Sequence, residues 1–200
     1  MKARVTRSVR ATPQEKARTL PGDELIARPI GSFDHAITIR RPRHDVWPWL
    51  AQMGAGSRAG WYSYDVLDNQ CRSSAGRIRP ELQHLAVGMI FPALPDVTDG
   101  FTLLAFEPER FLVLGWTTPA GTRLMTWAFV LDDADEGSTR LIVRARGGPE
   151  YRSRRLPWWA WKLIVRAIHF VMQRKQLLGI ARRAERDAAI GASGERQEVA

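Results

Sequence analysis

The sequence has a single cysteine, Cys71, among 200 residues. One thiol excludes an internal disulfide and every zinc site that needs two or more thiolates, and it fits a reducing compartment. Histidine is scarce too: His35, His44, His84 and His169 nowhere form the H-E-x-x-H spacing, so no metal site is expected. No G-x-S-x-G turn is present. The glycines of GAGSRAG, 54–60, neither follow a strand nor keep the G-x-G-x-x-G spacing; they predict a flexible connector, and no cofactor is implied. MKARVTRSVR lacks an apolar run of signal-peptide length, which predicts a cytoplasmic chain. The stretch from Leu156 to Met172 is too short and too charged for a good spanning helix.

What is present suits one domain with tails, since 44% hydrophobic residues suffice for a sizeable core. The net charge of +9 is unevenly spread. Residues 1–18 carry six Lys/Arg against one acid, and 150–186 carry ten against two, while 19–149 are nearly neutral with thirteen bases and fifteen acids. Nucleic-acid binding by a folded basic face is therefore not favoured.

The polar start, 1–18, predicts a disordered basic arm, and TLPGDELIARPIGSF, 19–33, an extended segment laid along a domain spanning 34–188. A disordered tail is expected over 189–200. Ala36 to Ile39 read as a strand, and HDVWPWLAQMG as a helix capped by Asp45 with Pro48 in its first turn. Asp65 can cap a short helix with Asp68 three positions on, and PELQHL, 80–85, can form another. Strands then follow at 89–94, 101–107, 111–116, 124–131 and 140–146, with turns short enough for consecutive antiparallel pairing. In the last of these Leu141, Val143 and Ala145 alternate with Arg140, Arg144 and Arg146, which predicts one buried and one wet face. Met125, Trp127, Phe129 and Leu131 share an inward face that a helix must cover.

That helix reads over 157–188, with Pro157 in its first turn. At about 100° per residue, Lys162, Arg166, His169 and Gln173 form a narrow polar stripe opposite Trp161, Ile164, Val165, Ile168 and Met172. Beyond Arg174 the pattern turns over, and Leu177, Ile180, Ala181 and Ala184 lie close to the direction of the earlier polar stripe. Either the helix bends at or before Gly179, or the apolar side of its first half faces something other than the sheet. Two explanations compete: that side packs beneath the 19–33 segment or against a second subunit while the polar stripe faces a cavity, or it meets a membrane surface through Trp158, Trp159 and Trp161.

The order of strand, two short helices, antiparallel strands and long C-terminal helix is an α+β helix-grip arrangement. IRRPRHDVWPWLAQMG, GWYSYDVLDN, GRIRPELQHLAVG, and WAFVL followed by STRLIVRAR resemble the START-like superfamily, specifically its bacterial polyketide cyclase/dehydrase-like (SRPBCC) members, over about residues 34–186. The resemblance implies an apolar cavity between a curved sheet and the last helix for a small hydrophobic ligand, a lipid or a polyketide. Some such proteins are cyclases or hydrolases and many only bind, and no catalytic set is common to them. Trp61, Tyr64, Glu81, Trp127, Arg166 and His169 are the expected cavity liners, with Tyr64 and His169 the pair able to polarise a carbonyl or move a proton in an aldol-type cyclisation. Against this, the tyrosines of WYSYD can simply anchor their loop, and Glu81 can be a first-turn acid.

Overall fold

A computed structural model describes residues 7–151 and 157–198, with side chains to residue 186. Six strands, β1 (Gly31–Ile39), β2 (Ile90–Pro92), β3 (Gly100–Glu107), β4 (Phe111–Thr117), β5 (Arg123–Asp133) and β6 (Thr139–Gly147), form one sheet in the order β1-β6-β5-β4-β3-β2. Every pairing is antiparallel. The last five strands follow one another as a meander, as their short turns predict, and β1 closes the sheet on the free side of β6. Register shifts between Leu103 and Ala105 and between Trp116 and Thr117 bend the sheet.

Three elements cover the concave face: α2 (Arg43–Ala51), the loop through Trp61 and Tyr62, and the second half of α4 (Trp158–Glu198). Leu112, Leu114, Phe129, Leu141 and Val143 bury their side chains there against Trp49, Leu50, Leu177 and Ile180. This is the helix-grip architecture that the element order predicts. α2 begins one turn earlier than expected, at Arg43 behind Pro42, so Asp45 lies in the first turn without capping and Pro48 falls inside the helix. The glycine-rich 54–60 stretch is an ordered plug. Arg58 is buried, its Nε donating to the Met53 carbonyl (2.5 Å), Nη2 to the Ala51 carbonyl, and its guanidinium lying 4.2 Å from the Phe91 ring centre.

The convex face is not wet. Residues 7–26 run across it and bury Ala11 and Leu20 against Ala36, Val130 and Ile142. The expected disordered arm therefore fails over 7–18; residues 1–6 lie outside the described ones. Thr12-Pro13-Gln14-Glu15 is a capping box that starts α1 (Pro13–Ala17), with the Glu15 amide donating to Thr12 Oγ1 (3.2 Å) and the Thr12 amide to Glu15 (2.6 Å). Arg144, expected in water, is buried beneath this segment. Its guanidinium donates to Asp34 (2.5 Å), to Asp23 (2.7 Å) and to the carbonyls of Glu15, Lys16 and Arg18 at 2.8–3.1 Å.

The closing helix is one continuous element from Trp158 to Glu198, so its backbone runs ten residues past the expected end and through the expected tail. It does not break at Gly179. Instead Gly179 allows contact: a Cβ there would lie 2.3 Å from the Tyr62 carbonyl oxygen. The conflict between its two halves is resolved by leaving one half uncovered. Gln173, Gln176, Leu177, Ile180 and Ala184 are buried, whereas Leu163, Ile164, Ile168 and Val171 are exposed. Neither the 19–33 segment nor any other described residue buries them.

Arg144→Ala leaves Asp34 beneath the N-terminal segment without its cation and Asp23 with Arg146 alone (2.9 Å), and unpairing a buried charge costs about 3 to 5 kcal/mol. Urea titration should show a loss of that order, together with faster proteolysis within residues 7–26.

Candidate functional site

Where the uncovered half of α4 leaves the sheet, a cavity of about 360 Å³ opens beneath it. Its walls are apolar: Trp61, Phe101 of β3, Met125 and Trp127 of β5, and Ile168 and Met172 of α4. The Trp61 and Trp127 rings stack at 5.4 Å, and Phe101 meets both edge-on or tilted at 5.5 and 5.3 Å. Neither indole N–H is left to a ligand. Trp61 Nε1 donates to the Pro92 carbonyl (3.1 Å) and Trp127 Nε1 to Gln173 Oε1 (3.0 Å), whose amide in turn donates to Gln176 (2.7 Å).

Two residues on the wall carry buried polar atoms that have no partner among the described residues. Both carboxylate oxygens of Asp68, at the end of α3 (Asp65–Asp68), are buried with no hydrogen-bond partner among the described residues. Burial, and secondarily the Asp65 carboxylate, push the Asp68 carboxyl up to about 6 from the usual 3.8. Ser63 and the backbone amides of Tyr64 and Asp68 lie near enough to oppose that rise in part, but none makes a well-formed hydrogen bond to the carboxylate, and the Ser63 hydroxyl is given to the Met172 carbonyl (3.1 Å). The second group is His169. Its Nδ1 is also buried and unpartnered, and its ring lies between Phe33 at 4.8 Å and His35 at 5.7 Å. Burial and then the neighbouring His35 pull the imidazole down to about 4 from 6.5, so it is neutral at pH 7. A protonatable carboxyl near neutrality and a neutral imidazole can each hydrogen-bond a ligand oxygen or pass a proton.

Of the expected liners, the structure brings Trp61, Trp127 and His169 to the cavity. Tyr64 is not among them. It is 39% exposed, with the Lys175 ammonium 5.4 Å from its ring centre. The left-handed backbone of Tyr62, φ 60°, interrupts the alternation of WYSYD, so Tyr62 is buried and Tyr64 faces outward. The pair Tyr64 and His169 is therefore not assembled. Glu81 lies on the surface and pairs with Arg79 (2.9 Å). Arg166 turns into a separate groove of about 740 Å³ between β1 and α4, which it shares with Arg10, Lys16, His35 and Lys162. That groove is wider but strongly cationic, and the apolar cavity is the better fit to a hydrophobic guest. Asp65 does not cap: its carboxylate accepts from the Ser74 amide (3.0 Å) and hydroxyl (2.5 Å). No periodicity marks Asp68 as inward, because α3 has four residues and leaves Val66 and Leu67 in water.

No protein-family model and no curated protein sequence matches the chain. Solved structures do resemble it. The Polyketide_cyc-like protein Cgl2372 from Corynebacterium glutamicum is 16% identical over 78% of this chain and 93% of its own, with a TM-score of 0.48. Protein MLL2253 from Mesorhizobium loti is 18% identical over 78% and 98%, TM-score 0.44. The Zhui aromatase/cyclase from Streptomyces sp. R1128 is 13% identical over 79% and 95%, TM-score 0.41.

The two wall groups oppose each other in pH. Between about pH 4 and 6 the folded protein keeps a proton on Asp68 that the unfolded chain has lost, so this group's contribution to stability falls as pH rises. Between about 4 and 6.5 the unfolded chain protonates His169 and the folded protein does not, so that contribution rises with pH. Relative to the parent, Asp68→Asn should gain stability with rising pH across this window and His169→Phe should lose it. Urea midpoints at pH 4.5 and 6.5 read the difference.

Proposed function

We propose that this protein holds a small hydrophobic molecule, lipid or polyketide-like, in the cavity beneath the first half of α4. The observation that carries the reading is an aromatic and aliphatic chamber in which the Trp61 and Trp127 N–H groups are internally satisfied, while Asp68 and His169 carry buried polar atoms without a partner among the described residues. A ligand with an apolar body and one oxygen would bury its surface against Trp61, Phe101 and Trp127 and pair with either group. The volume of about 360 Å³ falls within the range of about 300–1,000 Å³ found for small-molecule sites.

A cyclase- or dehydratase-type activity is the second reading. It would draw on Asp68 and His169, whose proton affinities are displaced in opposite directions, and not on Tyr64. A bound compound that loses one water in the parent but not in Asp68→Asn marks an enzyme, and an unchanged compound marks a carrier.

Ala93 lines the cavity, so a larger side chain there takes up part of its volume. Ala93→Phe should weaken binding of the probe 1-anilinonaphthalene-8-sulfonate at least about tenfold, ~1.4 kcal/mol, with the thermal midpoint unchanged. Equal affinity in parent and variant would place the probe elsewhere and overturn the cavity reading.

A further inference from the structure

The exposed first half of α4 has a composition that its fold role does not need. Trp159 is 72% exposed, Leu163 63%, Ile168 59% and Ile164 43%. Advancing about 100° per residue, Trp159, Leu163, Ala167, Val171, Ile164 and Ile168 fan over about 180° of the helix, centred opposite His169 and the buried Gln176 with Trp159 and Ile168 at its two edges, so the middle of the apolar arc points away from the protein. From Trp159 to Val171 it runs about 18 Å at about 1.5 Å per residue. Lys162 and Arg166 border it on the groove side, Arg174 and Lys175 follow it, and among the described residues none of these four is in an ion pair. Residues 150–186 as a whole hold ten Lys/Arg against two acids.

We propose that this half-helix docks on the surface of an anionic lipid bilayer, lying in the interface with Leu163, Ala167 and Val171 among the acyl chains, and with Trp159 and the basic border at the headgroups. An apolar arc with tryptophan and a cationic margin is the pattern of an interfacial helix. No described helix is long and apolar enough to cross a membrane, which leaves the surface as the place for it. A second copy is the poorer occupant, because a two-fold contact through this arc would bring its Lys162, Arg166, Arg174 and Lys175 border against the same cations. Resting on the cavity reading above, the docking has a further consequence. Ile164 and Ile168 belong both to the cavity wall and to the exposed arc, so the cavity mouth opens into the docked surface and a lipid-phase guest can enter without crossing water.

Co-sedimentation of the full chain with phosphatidylcholine vesicles, with and without phosphatidylglycerol, tests this. Binding is expected to the anionic vesicles alone, weakening at least about tenfold when salt rises from about 0.05 to 0.5 M. Leu163→Glu with Val171→Glu should abolish it while preserving the circular-dichroism melt and the affinity for 1-anilinonaphthalene-8-sulfonate, since neither residue lines the cavity. Absence of binding to anionic vesicles at low salt, or unchanged binding by the double variant, overturns the proposal. So does a lipid-free dimer in light scattering that the double variant disperses, which assigns the arc to a second copy. Ala93→Phe separates the two readings: lost probe binding with retained vesicle binding supports both, whereas vesicle binding with a probe affinity indifferent to Ala93→Phe keeps the docking and removes the cavity.

Discussion

The approach of Gly179 to the carbonyl of Tyr62 fixes where the closing helix can lie. Any side chain at this position would stand at 2.3 Å from the carbonyl oxygen, so the helix axis reaches the Tyr62 loop only because there is none. Arg183, one turn on, adds to the contact: its guanidinium lies 4.6 Å from the Tyr62 ring centre and donates to the Ala75 carbonyl (2.7 Å). Tyr62 is in turn held by Gln52, whose amide donates to the phenolic oxygen (2.9 Å). With the second half of α4 clamped in this way, a straight helix must carry its first half beyond the packed core. The cavity, its mouth and the bare apolar arc all follow from that one constraint.

Much of the fold was legible because its signals are periodic and local. Each expected strand appears, and the inward set of Trp127, Phe129 and Leu131 was visible as alternation. The back of the sheet was not legible. Arg140, Arg144 and Arg146 read as a wet face because arginine ordinarily marks water, and only the tertiary placement of Asp23, Asp34 and three backbone carbonyls makes burial of Arg144 tolerable. The capping box at Thr12 was readable, but a five-residue helix in a basic stretch gives too little periodicity to outweigh the charge pattern.

The site divides in the same way. Trp61, Trp127 and His169 were recognisable as bulky or titratable residues on elements that had to face inward. Tyr64 failed through one left-handed residue, and Arg166 because a residue on the inward side of a helix can face a flanking groove instead of the cavity. Asp68 had no signal at all, since its inward direction is set by the Asp65 to Ser74 contact that orients the short helix. The polar stripe of α4 does point toward the protein, but it is divided. Gln173 and His169 reach the interior, and Lys162 and Arg166 stop at the groove.

The family resemblance begins near residue 34, yet Arg144 ties that sheet to three carbonyls and a carboxylate from residues 15 to 23. The guanidinium acts there as an internal solvent for chain that would otherwise be hydrated. A unit cut at residue 34 would expose Ala36, Val130 and Ile142 and leave Arg144 with Asp34 alone of its five partners. The natural boundary of this fold therefore lies upstream of its recognisable part, and the least conspicuous stretch of the chain forms its third layer.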